Sequence, residues 1–377
     1  MRKTIHIIGI SEMKQFDIKT LMSNFQIMGS YESGMPYGTG HINDTFKIET
    51  RENNRPDYLL QKVNHNVFRN VPALMQNIDR VTKHIRQKLL EIPGSDPERE
   101  GLTLVPARDN NIFYVDDLGN YWRVYIFISN NRSYDIVDSP EKAYEGGKAF
   151  GQFQAMLADL PGEPLNETIP DFHNISKRLE TFYHTLDQDT ENRAHLVKEE
   201  LEFVNTRAEE MKLIHKLGDE GKIPMRISHN DTKFNNVLLD ENDKKLCVID
   251  LDTVMPGYIH FDFGDSIRTT TNTGAEDEKD LARVNMDIAL YEAYTKGFLE
   301  ETAIFMNKFE TDNLAFAGKL FPFIIGLRFL TDYIDGDNYF KIHHEHHNLQ
   351  RTRAQFSLLK SMENQFTDMQ AIVNKFI

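Results

Sequence analysis

The segment 229–236, His-Asn-Asp-Thr-Lys-Phe-Asn-Asn, and the apolar run that ends at Asp250 constrain this chain more than any other feature. Residues 237–239 and 246–249 have the composition of two short strands joined by a polar turn. In an antiparallel hairpin, the start of the first strand lies beside the end of the second. We therefore expect Asn236 and Asp250 to meet at one end of a hairpin.

Asp231 comes just before this hairpin, which predicts a compact cluster of side-chain oxygens from Asp231, Asn236 and Asp250. Such a cluster suits a hard cation that keeps several of its waters. Protein kinases use the same His-x-Asp-x-x-x-x-Asn spacing for their catalytic Asp and a metal-binding Asn. We predict that Asp231 is the catalytic residue and that Asn236 and Asp250 bind Mg²⁺, with Asp252 assisting. The alternative is a surface hairpin with ordinary turn residues, but the spacing and the hairpin agree with each other.

Several stretches of the chain carry a resemblance to a known family. They are residues 37–46, 121–125, 229–236, 249–268, 328–333 and 348–353. In these stretches the chain resembles the aminoglycoside phosphotransferase-like small-molecule kinases, and within them the bacterial N-acetylhexosamine 1-kinases. The resemblance covers nearly the whole chain. It implies ATP- and Mg²⁺-dependent phosphorylation of the anomeric hydroxyl of an N-acetylhexosamine (GlcNAc or GalNAc), which gives the sugar 1-phosphate.

Strand patterns dominate the first third of the chain, and helix patterns dominate the remainder. Strands are predicted at 45–49, 58–63, 112–115 and 122–127, and a helix over about 71–90. Ser139 as N-cap, with Pro140 at the first helical position, marks the start of the next helix. Further helices are predicted near 175–186, 194–216, 277–300, 311–335 and 352–375.

This distribution predicts an α+β, bilobal protein-kinase-like fold. We place a small β-rich N-terminal nucleotide-binding lobe at 1–128 and a large, mainly helical C-terminal catalytic and sugar-binding lobe at 129–377. In such an architecture the nucleotide is expected in the cleft between the lobes.

The loop that contains Gly38 and Gly40 precedes the first predicted strand. Glycine lets backbone N–H groups approach phosphates closely, so we predict that this loop lies against the nucleotide. The third glycine of the protein-kinase loop is replaced by Asn43. The family resemblance places His41 and Asn43 at the sugar or at the phosphates, and the sequence leaves both open.

Protein kinases carry a phosphate-pairing Lys on their third strand. Side chains alternate across a strand, so only one of Gln61 and Lys62 faces the nucleotide. If Leu60 and Lys62 face the same side, Lys62 points toward the nucleotide, whereas the resemblance puts Gln61 at the lysine position. A solvent-exposed Lys62 is a further alternative. By position and resemblance, the backbone of Phe127 and Ile128 pairs with the adenine edge.

The acceptor site is predicted in the C-terminal lobe. Arg328 and Asp332 are spaced i, i+4 on a predicted helix and share a face. An exposed ion pair is the alternative, but the apolar neighbours indicate a buried helix. The resemblance places both residues near the sugar, together with His173. The cluster of histidines at 343–347 is expected to be a solvated loop.

The formal net charge of −15 argues against a nucleic-acid partner, since such proteins present basic patches. ATP still fits when Mg²⁺ and local cations offset its phosphates. We expect no apolar run of this chain to span a bilayer, so no membrane partner is predicted. The single cysteine, Cys247, excludes an internal disulfide and suits a cytoplasmic protein. We expect a monomer or a weak homodimer.

Two classes of alternative function remain. One is a kinase of the same family that acts on choline, homoserine, methylthioribose or an aminoglycoside. The other is a non-catalytic nucleotide-binding protein, against which the intact set of Asp231, Asn236 and Asp250 speaks.

Overall fold

In the computed structural model, which describes residues 16–38 and 42–377, the first third of the chain folds around a six-stranded antiparallel sheet. The strands run in the order β1-β2-β3-β6-β4, and β5 pairs with β6. They are β1 (Tyr31–Pro36), β2 (Asp44–Thr50), β3 (Tyr58–Val63), β4 (Leu104–Val105), β5 (Tyr114–Val115) and β6 (Tyr121–Ile126).

One face of this sheet is apolar because side chains alternate along each strand. Phe46 pairs with Leu60, and Leu60 pairs with Val124, so these three buried side chains form a row across the central strands. Trp122 and Phe25 are buried in the same cluster. The row fixes the register of β3 and therefore decides which face Gln61 and Lys62 occupy.

Three helices accompany the sheet: α1 (Ile18–Met22), α2 (Val71–Glu91) and α3 (Pro97–Glu100). Asn70 caps α2 by accepting a hydrogen bond from the amide of Ala73 at 3.1 Å, and a proline follows in the first turn. Helix α2 buries one stripe of apolar side chains at helical spacing, as the sequence predicts.

The chain divides into two compact units. The first unit comprises Met1–Asn131 and Asn166–Ile169, and the second comprises Arg132–Leu165 and Pro170–Ile377. The short stretch at 166–169 was not assigned to the N-terminal lobe from the sequence. A hydrogen bond attaches this stretch to the first unit: the side-chain oxygen of Asn77 on α2 accepts from the amide of Asn166 at 2.9 Å.

The second unit is mainly helical. Its helices are α4 (Pro140–Leu157), α5 (Ile175–Gln188), α6 (Lys198–Asn205), α7 (Leu213–Asp219), α8 (Ile259–Thr270), α9 (Ile288–Thr302), α10 (Lys308–Asp312), α11 (Leu314–Ile334), α12 (His347–Asn364) and α13 (Phe366–Lys375). Two antiparallel pairs lie among them. Strand β7 (Arg226–Ser228) pairs with β10 (Met255–Gly257), and β8 (Val237–Leu239) pairs with β9 (Lys245–Val248). The α+β class and the protein-kinase-like fold are confirmed.

Helices α4 and α9 pack so closely that glycine is required at their crossing. A Cβ on Gly147 would lie 2.2 Å from the carbonyl oxygen of Tyr294, and one on Gly297 would lie 2.2 Å from that of Tyr144. Helix α4 also supports the hairpin: its buried Glu145 accepts a hydrogen bond from the backbone amide of Lys245 at 3.0 Å.

Helix α11 corrects the expectation about apolar runs. Over Leu314–Ile334 it is long and apolar enough to cross a membrane by length and composition alone. However, 83% of its apolar window is buried inside the protein, which is the pattern of a core helix.

Four predicted helices differ from the structure. The predicted helices 311–335 and 352–375 each divide in two, at Asn313 and at Gln365. The stretch 194–216 breaks into short helical pieces, of which α6 and the first half of α7 are parts. The stretch 277–287 is not part of α9, because the side chain of Asp287 caps that helix by accepting from the amides of Ala289 and Leu290. Strands β1 and β4 and the β7–β10 pair were not predicted, and the N-cap of α4 at Ser139 is confirmed.

Candidate active site

The β8–β9 hairpin brings together the two ends that the sequence predicts to meet. Val237 pairs with Val248, and the backbone amide of Ile249 donates to the carbonyl oxygen of Asn236 at 2.9 Å. Asp250, the next residue, therefore lies at the same end as Asn236. Its backbone is left-handed, with φ of 61°, a conformation that is uncommon outside glycine and clusters at functional sites.

Asp231 is joined to this end of the hairpin by the side chain of Asn236. The Nδ2 atom of Asn236 donates to the carbonyl oxygen of Asp231 at 2.8 Å and lies 3.3 Å from its carboxylate Oδ2. Because the amide nitrogen faces Asp231, Oδ1 is the Asn236 atom that remains for a cation.

A buried carboxylate, Asp262 on α8, holds the loop before Asp231. Its two oxygens accept hydrogen bonds from the backbone amides of His229 and Asn230, each at 2.8 Å. The buried side chain of Gln154 also donates to Asp262. Asp262 therefore braces this loop.

His229 fastens the same loop to the end of β9. Its Nε2 lies 2.9 Å from the carbonyl oxygen of Ile249, and its Nδ1 accepts from the amide of Asp231 at 3.3 Å. The imidazole is fully buried. Its two ring nitrogens are thus used to orient backbone, so His229 positions Asp231 rather than serving as a proton carrier.

Lys233 sets the electrostatics of Asp231, and the sequence did not single it out. Its Nζ lies 2.9 Å from Oδ1 of Asp231. Burial would raise the pKa of the Asp231 carboxyl, but the Lys233 ammonium holds that pKa below its usual range. The carboxylate therefore stays ionised at neutral pH and can accept a hydrogen bond from a hydroxyl group.

The predicted metal ligands supply oxygen donors only. Asp250 is exposed, whereas Asp252 is buried in the short helical turn Leu251–Thr253. Carboxylate and amide oxygens suit Mg²⁺, which usually keeps several waters. Within residues 16–38 and 42–377, no three His, Cys, Asp or Glu side chains are grouped to hold a metal. The predicted set of Asn236, Asp250 and Asp252 has two carboxylates and one side-chain amide. Its binding of a metal stays a prediction.

In the first unit, the predicted phosphate loop is described only in part. Gly38 has φ of 81°, the left-handed region that favours glycine. Gly40 and His41 lie outside the described residues. The side-chain oxygen of Asn43 accepts from the amide of Asn64 at 2.9 Å, which ties the end of the loop to the end of β3.

Gln61 and Lys62 lie on opposite faces of β3. Lys62 shares the face of the buried Leu60, and its Nζ lies 3.4 Å from Asp44. Gln61 lies on the other face, where its Oε1 accepts from Nε of Arg123 at 2.9 Å. Arg123 is fully buried. It places a positive charge beside Gln61, the residue that the resemblance puts at the position of the kinase lysine. Contact of either Gln61 or Lys62 with phosphate stays a prediction.

The predicted adenine-pairing segment has part of its backbone already in use. The amide of Phe127 donates to the carbonyl oxygen of Asp57 at 2.9 Å. The carbonyl oxygen of Ile128 accepts from the side chain of Asn131. The amide of Phe127 is therefore already used, and the contact of Phe127 and Ile128 with adenine stays a prediction.

Arg328 on α11 is surrounded by aromatic rings. Its guanidinium carbon lies 5.4 Å from the ring centre of Phe172, 5.8 Å from that of Tyr339 and 5.5 Å from that of Phe340. Tyr339 is 64% exposed, so a large aromatic surface beside Arg328 faces solvent. An exposed ring held next to a guanidinium can pack against the face of a bound molecule.

Asp332 does not pair with Arg328. Its carboxylate accepts from the backbone amides of Tyr339 at 2.7 Å and Phe340 at 2.9 Å, and from the side chain of Asn348 at 2.8 Å. Because Arg328 and Asp332 share a helical face, Asp332 holds Tyr339 and Phe340 against Arg328. We call these two residues the aromatic loop. Direct contact of Asp332 with a sugar stays a prediction.

His173 connects the surroundings of Arg328 to the loop that carries Asp231. Its Nε2 lies 2.9 Å from the carbonyl oxygen of Asn230, the residue before Asp231. Burial lowers the pKa of His173 to about 3, and the charges of Arg328 and Arg178 act in the same direction. His173 is therefore neutral and donates from Nε2, which makes it a fixed support of the loop.

A family comparison decides what this arrangement belongs to. The model of the phosphotransferase enzyme family matches residues 33–296, more than half of the chain, including the loop at Asp231 and both carboxylates that follow it. The chain belongs to the phosphotransferase enzyme family.

Solved structures that share the fold of this phosphotransferase are distant in sequence. An aminoglycoside phosphotransferase from Alicyclobacillus acidocaldarius matches with a TM-score of 0.58 and 11% identity over 100% of this chain and 98% of its own. A microcompartment-associated aminopropanol kinase matches with a TM-score of 0.55 and 13% identity over 94% and 98%. Amicoumacin kinase, in complex with AMP-PNP, Ca²⁺ and its ligand, matches with a TM-score of 0.54 and 11% identity over 97% and 96%.

Three residues at the site of this phosphotransferase were missed from the sequence. Lys233 is visible inside the motif, but a spacing of two residues in a loop does not reveal which way its side chain points. Tyr339 follows a turn that contains Gly336, and an aromatic residue just after such a turn is a signal that the sequence does offer. Arg178 follows Phe172 closely in the chain, but the spacing alone does not show that its guanidinium turns back to the Phe172 carbonyl oxygen.

Proposed function

We propose that this protein is an ATP- and Mg²⁺-dependent small-molecule kinase that phosphorylates the anomeric hydroxyl of an N-acetylhexosamine and releases the sugar 1-phosphate. One observation carries the kinase part: Asp231, Asn236 and Asp250 converge at one end of the β8–β9 hairpin. The family match supports the reaction class. The sugar part rests on the resemblance to N-acetylhexosamine 1-kinases and on the chemistry around Arg328.

Asp231 would accept a hydrogen bond from the acceptor hydroxyl and orient its oxygen toward the γ-phosphate. Mg²⁺, held by Oδ1 of Asn236 and by Asp250 with Asp252 assisting, would supply charge neutralisation on the phosphates. Phosphoryl transfer needs little covalent help from the protein, so catalysis comes mainly from positioning and electrostatics. The braces at Asp262 and His229 provide that rigidity.

The nucleotide side of the site is proposed in the first unit. Gly38 and Gly40 would approach the phosphates through their backbone, and Phe127 and Ile128 would line the adenine. The remaining contacts are proposed for Gln61 or Lys62 on the phosphates, and for His41 and Asn43 on the sugar or the phosphates. The protein is proposed to work in the cytoplasm as a monomer or a weak homodimer.

The charges around Arg328 favour a sugar over an amino alcohol or an aminoglycoside. A cationic acceptor is recognised best by carboxylates that face it. Here Asp332 is occupied by backbone amides, and Asp231 is paired with Lys233. A guanidinium beside an exposed aromatic ring suits a neutral polyol with oxygen acceptors.

An acceptor panel tests the proposal. The purified protein is incubated with Mg-ATP and, one at a time, N-acetylhexosamines, choline, homoserine, methylthioribose and an aminoglycoside, and ADP release is followed. We expect release that depends on the N-acetylhexosamine and is abolished in Asp231→Asn. Release only with another acceptor would overturn the sugar assignment. ATP binding without release for any acceptor would favour a non-catalytic nucleotide-binding protein.

A further inference from the structure

Two arginines contact the same phenylalanine in the second unit. Arg178 on α5 donates from Nη2 to the carbonyl oxygen of Phe172 at 2.8 Å. Arg328 on α11 lies over the ring of the same residue, with its guanidinium carbon 5.4 Å from the ring centre. His173, the next residue, is bonded to the carbonyl oxygen of Asn230. The arginine pair is thus attached to the loop that carries Asp231.

No ion pair offsets either guanidinium in the part of the chain that the structure describes. Arg178 has a buried Nε without a hydrogen-bond partner. Asp171, seven positions earlier in the chain, acts on Arg178 by raising its pKa, but it makes no ion pair with Arg178 and accepts from the side chain of Asn174. Burial and the charge of Arg328 lower the pKa of Arg178 to about 10, so it remains protonated at neutral pH.

The other ionisable groups nearby make their direct contacts with partners other than the two guanidiniums. Asp332 is buried and held by backbone amides of the aromatic loop. Asp231 already faces the ammonium of Lys233 at 2.9 Å. His173 is neutral because burial depresses its pKa. Neither guanidinium is therefore neutralised by a direct ion pair among the described residues, and a ligand at this side of the site must tolerate both charges.

We propose that Arg178 and Arg328 form a cationic wall of the acceptor site, and that Arg178 determines specificity by rejecting acceptors that carry a positive charge. This inference rests on the proposed function and adds the property that selects its substrate. Like charges brought close in a partly buried site repel strongly, which discriminates against a wrong ligand without requiring contact with the right one. An acyl or hydroxyl oxygen at the same position can instead accept a hydrogen bond from a guanidinium.

Three sugars that differ only at the second carbon separate charge from shape: N-acetylglucosamine, glucose and glucosamine, at a pH where the amine is protonated. For the wild type we expect glucosamine to have a kcat/KM about ten-fold or more below that of glucose, because the ammonium is repelled. N-acetylglucosamine should be the best of the three. The loss of the acetyl group alone cannot explain a gap between glucose and glucosamine, since both lack it.

Arg178→Met removes the charge, and Arg178→Lys is the matched control that keeps it. In Arg178→Met, the kcat/KM for glucose divided by that for glucosamine should fall to within about three-fold of unity, while the KM for ATP stays unchanged. In Arg178→Lys the wild-type ratio should persist. Equal use of glucose and glucosamine by the wild type, or an unchanged ratio in Arg178→Met, would overturn the proposal.

A wild-type measurement covers the case in which Arg178→Met fails to fold. Deprotonation removes the positive charge of the glucosamine amine, so the kcat/KM ratio of glucose to glucosamine should shrink as the pH is raised through the titration of the amine. A ratio that does not change when the amine is deprotonated would refute charge selection. Failure of the proposed function looks different: none of the three sugars would yield a sugar phosphate at any pH tested.

Discussion

The ammonium nitrogen of Lys233 lies 2.9 Å from a carboxylate oxygen of Asp231, two positions earlier in the same loop. Lys233 is 46% exposed, so solvent weakens this pair, but the pair still keeps the carboxylate ionised and directs one of its oxygens. The side-chain nitrogen Nδ2 of Asn236 lies 3.3 Å from the other carboxylate oxygen of Asp231. Asp231 is thus held from two sides, which suits a residue that orients a hydroxyl group.

Lys233→Met should lower kcat by roughly ten-fold, because a charge-assisted hydrogen bond that orients Asp231 is lost. Steady-state kinetics with saturating ATP and acceptor give the value. Lys233→Arg, which keeps the positive charge, should lose less. Equal kcat for the wild type and Lys233→Met would show that the ion pair does not orient the catalytic carboxylate.

Asp250→Ala should weaken Mg-ATP binding as well as turnover, since it removes an oxygen ligand at the end of the hairpin. Titration of Mg²⁺ at fixed ATP should show partial rescue at high metal concentration. Glu241→Ala is the matched control, because Glu241 is an exposed carboxylate in the turn of the same hairpin. If added Mg²⁺ rescues nothing and the ATP affinity is unchanged, Asp250 does not bind the metal.

Arg328→Ala should raise the KM for the acceptor and leave the KM for ATP near its wild-type value. A hydrogen bond from a charged donor contributes about 1.5–3 kcal/mol, which corresponds to roughly ten-fold or more in affinity. Acceptor and ATP are titrated separately. Arg283→Ala, at a largely exposed arginine of the same unit, controls for loss of charge. A loss confined to ATP would place the acceptor away from α11.

His173→Gln should make stability less sensitive to acid. The folded pKa of His173 is about 3, below its ordinary 6.5, so the unfolded chain binds more protons between these values. Stability contributed by the neutral imidazole is present above about pH 6.5 and is lost as the pH falls toward 3. Between pH 7 and pH 4 the wild type should lose about 3 kcal/mol more than His173→Gln.

Thermal or denaturant unfolding at several pH values measures this difference. Glutamine keeps a donor for the carbonyl oxygen of Asn230, so the test isolates protonation. His195→Gln, at an exposed histidine, is the control and should follow the wild type. Parallel stability curves for the wild type and His173→Gln would mean that His173 is not held neutral by the fold.

The hairpin and its cluster were predictable because their determinants are local. Strand alternation and a short polar turn fix where Asn236 lies relative to Asp250, and the N-cap at Ser139 is written in adjacent residues. The face occupied by Lys62 also followed once Leu60 was placed in the core.

What could not be predicted depends on how loops and helix ends fold, because spacing along the chain does not show which groups meet there. The shared face of Arg328 and Asp332 was correct as geometry, but nothing local shows that Asp332 is taken by the amides of a loop seven residues later. The approach of Arg178 to Phe172 likewise depends on how α5 begins. The helix predicted at 277–300 begins late because a cap at Asp287 overrides its propensity.

Identification of the reaction product tests the central claim most directly. The protein is incubated with Mg-ATP and N-acetylglucosamine, and phosphorus and proton NMR spectra are recorded, with Asp231→Asn as the control. The account predicts ADP together with a sugar phosphate whose phosphorus couples to the anomeric proton. It also predicts a rate lower by about 10²–10⁴-fold in Asp231→Asn, because the oriented proton acceptor is lost. Phosphate on any other position of the sugar, no transfer at all, or equal product from Asp231→Asn would contradict it.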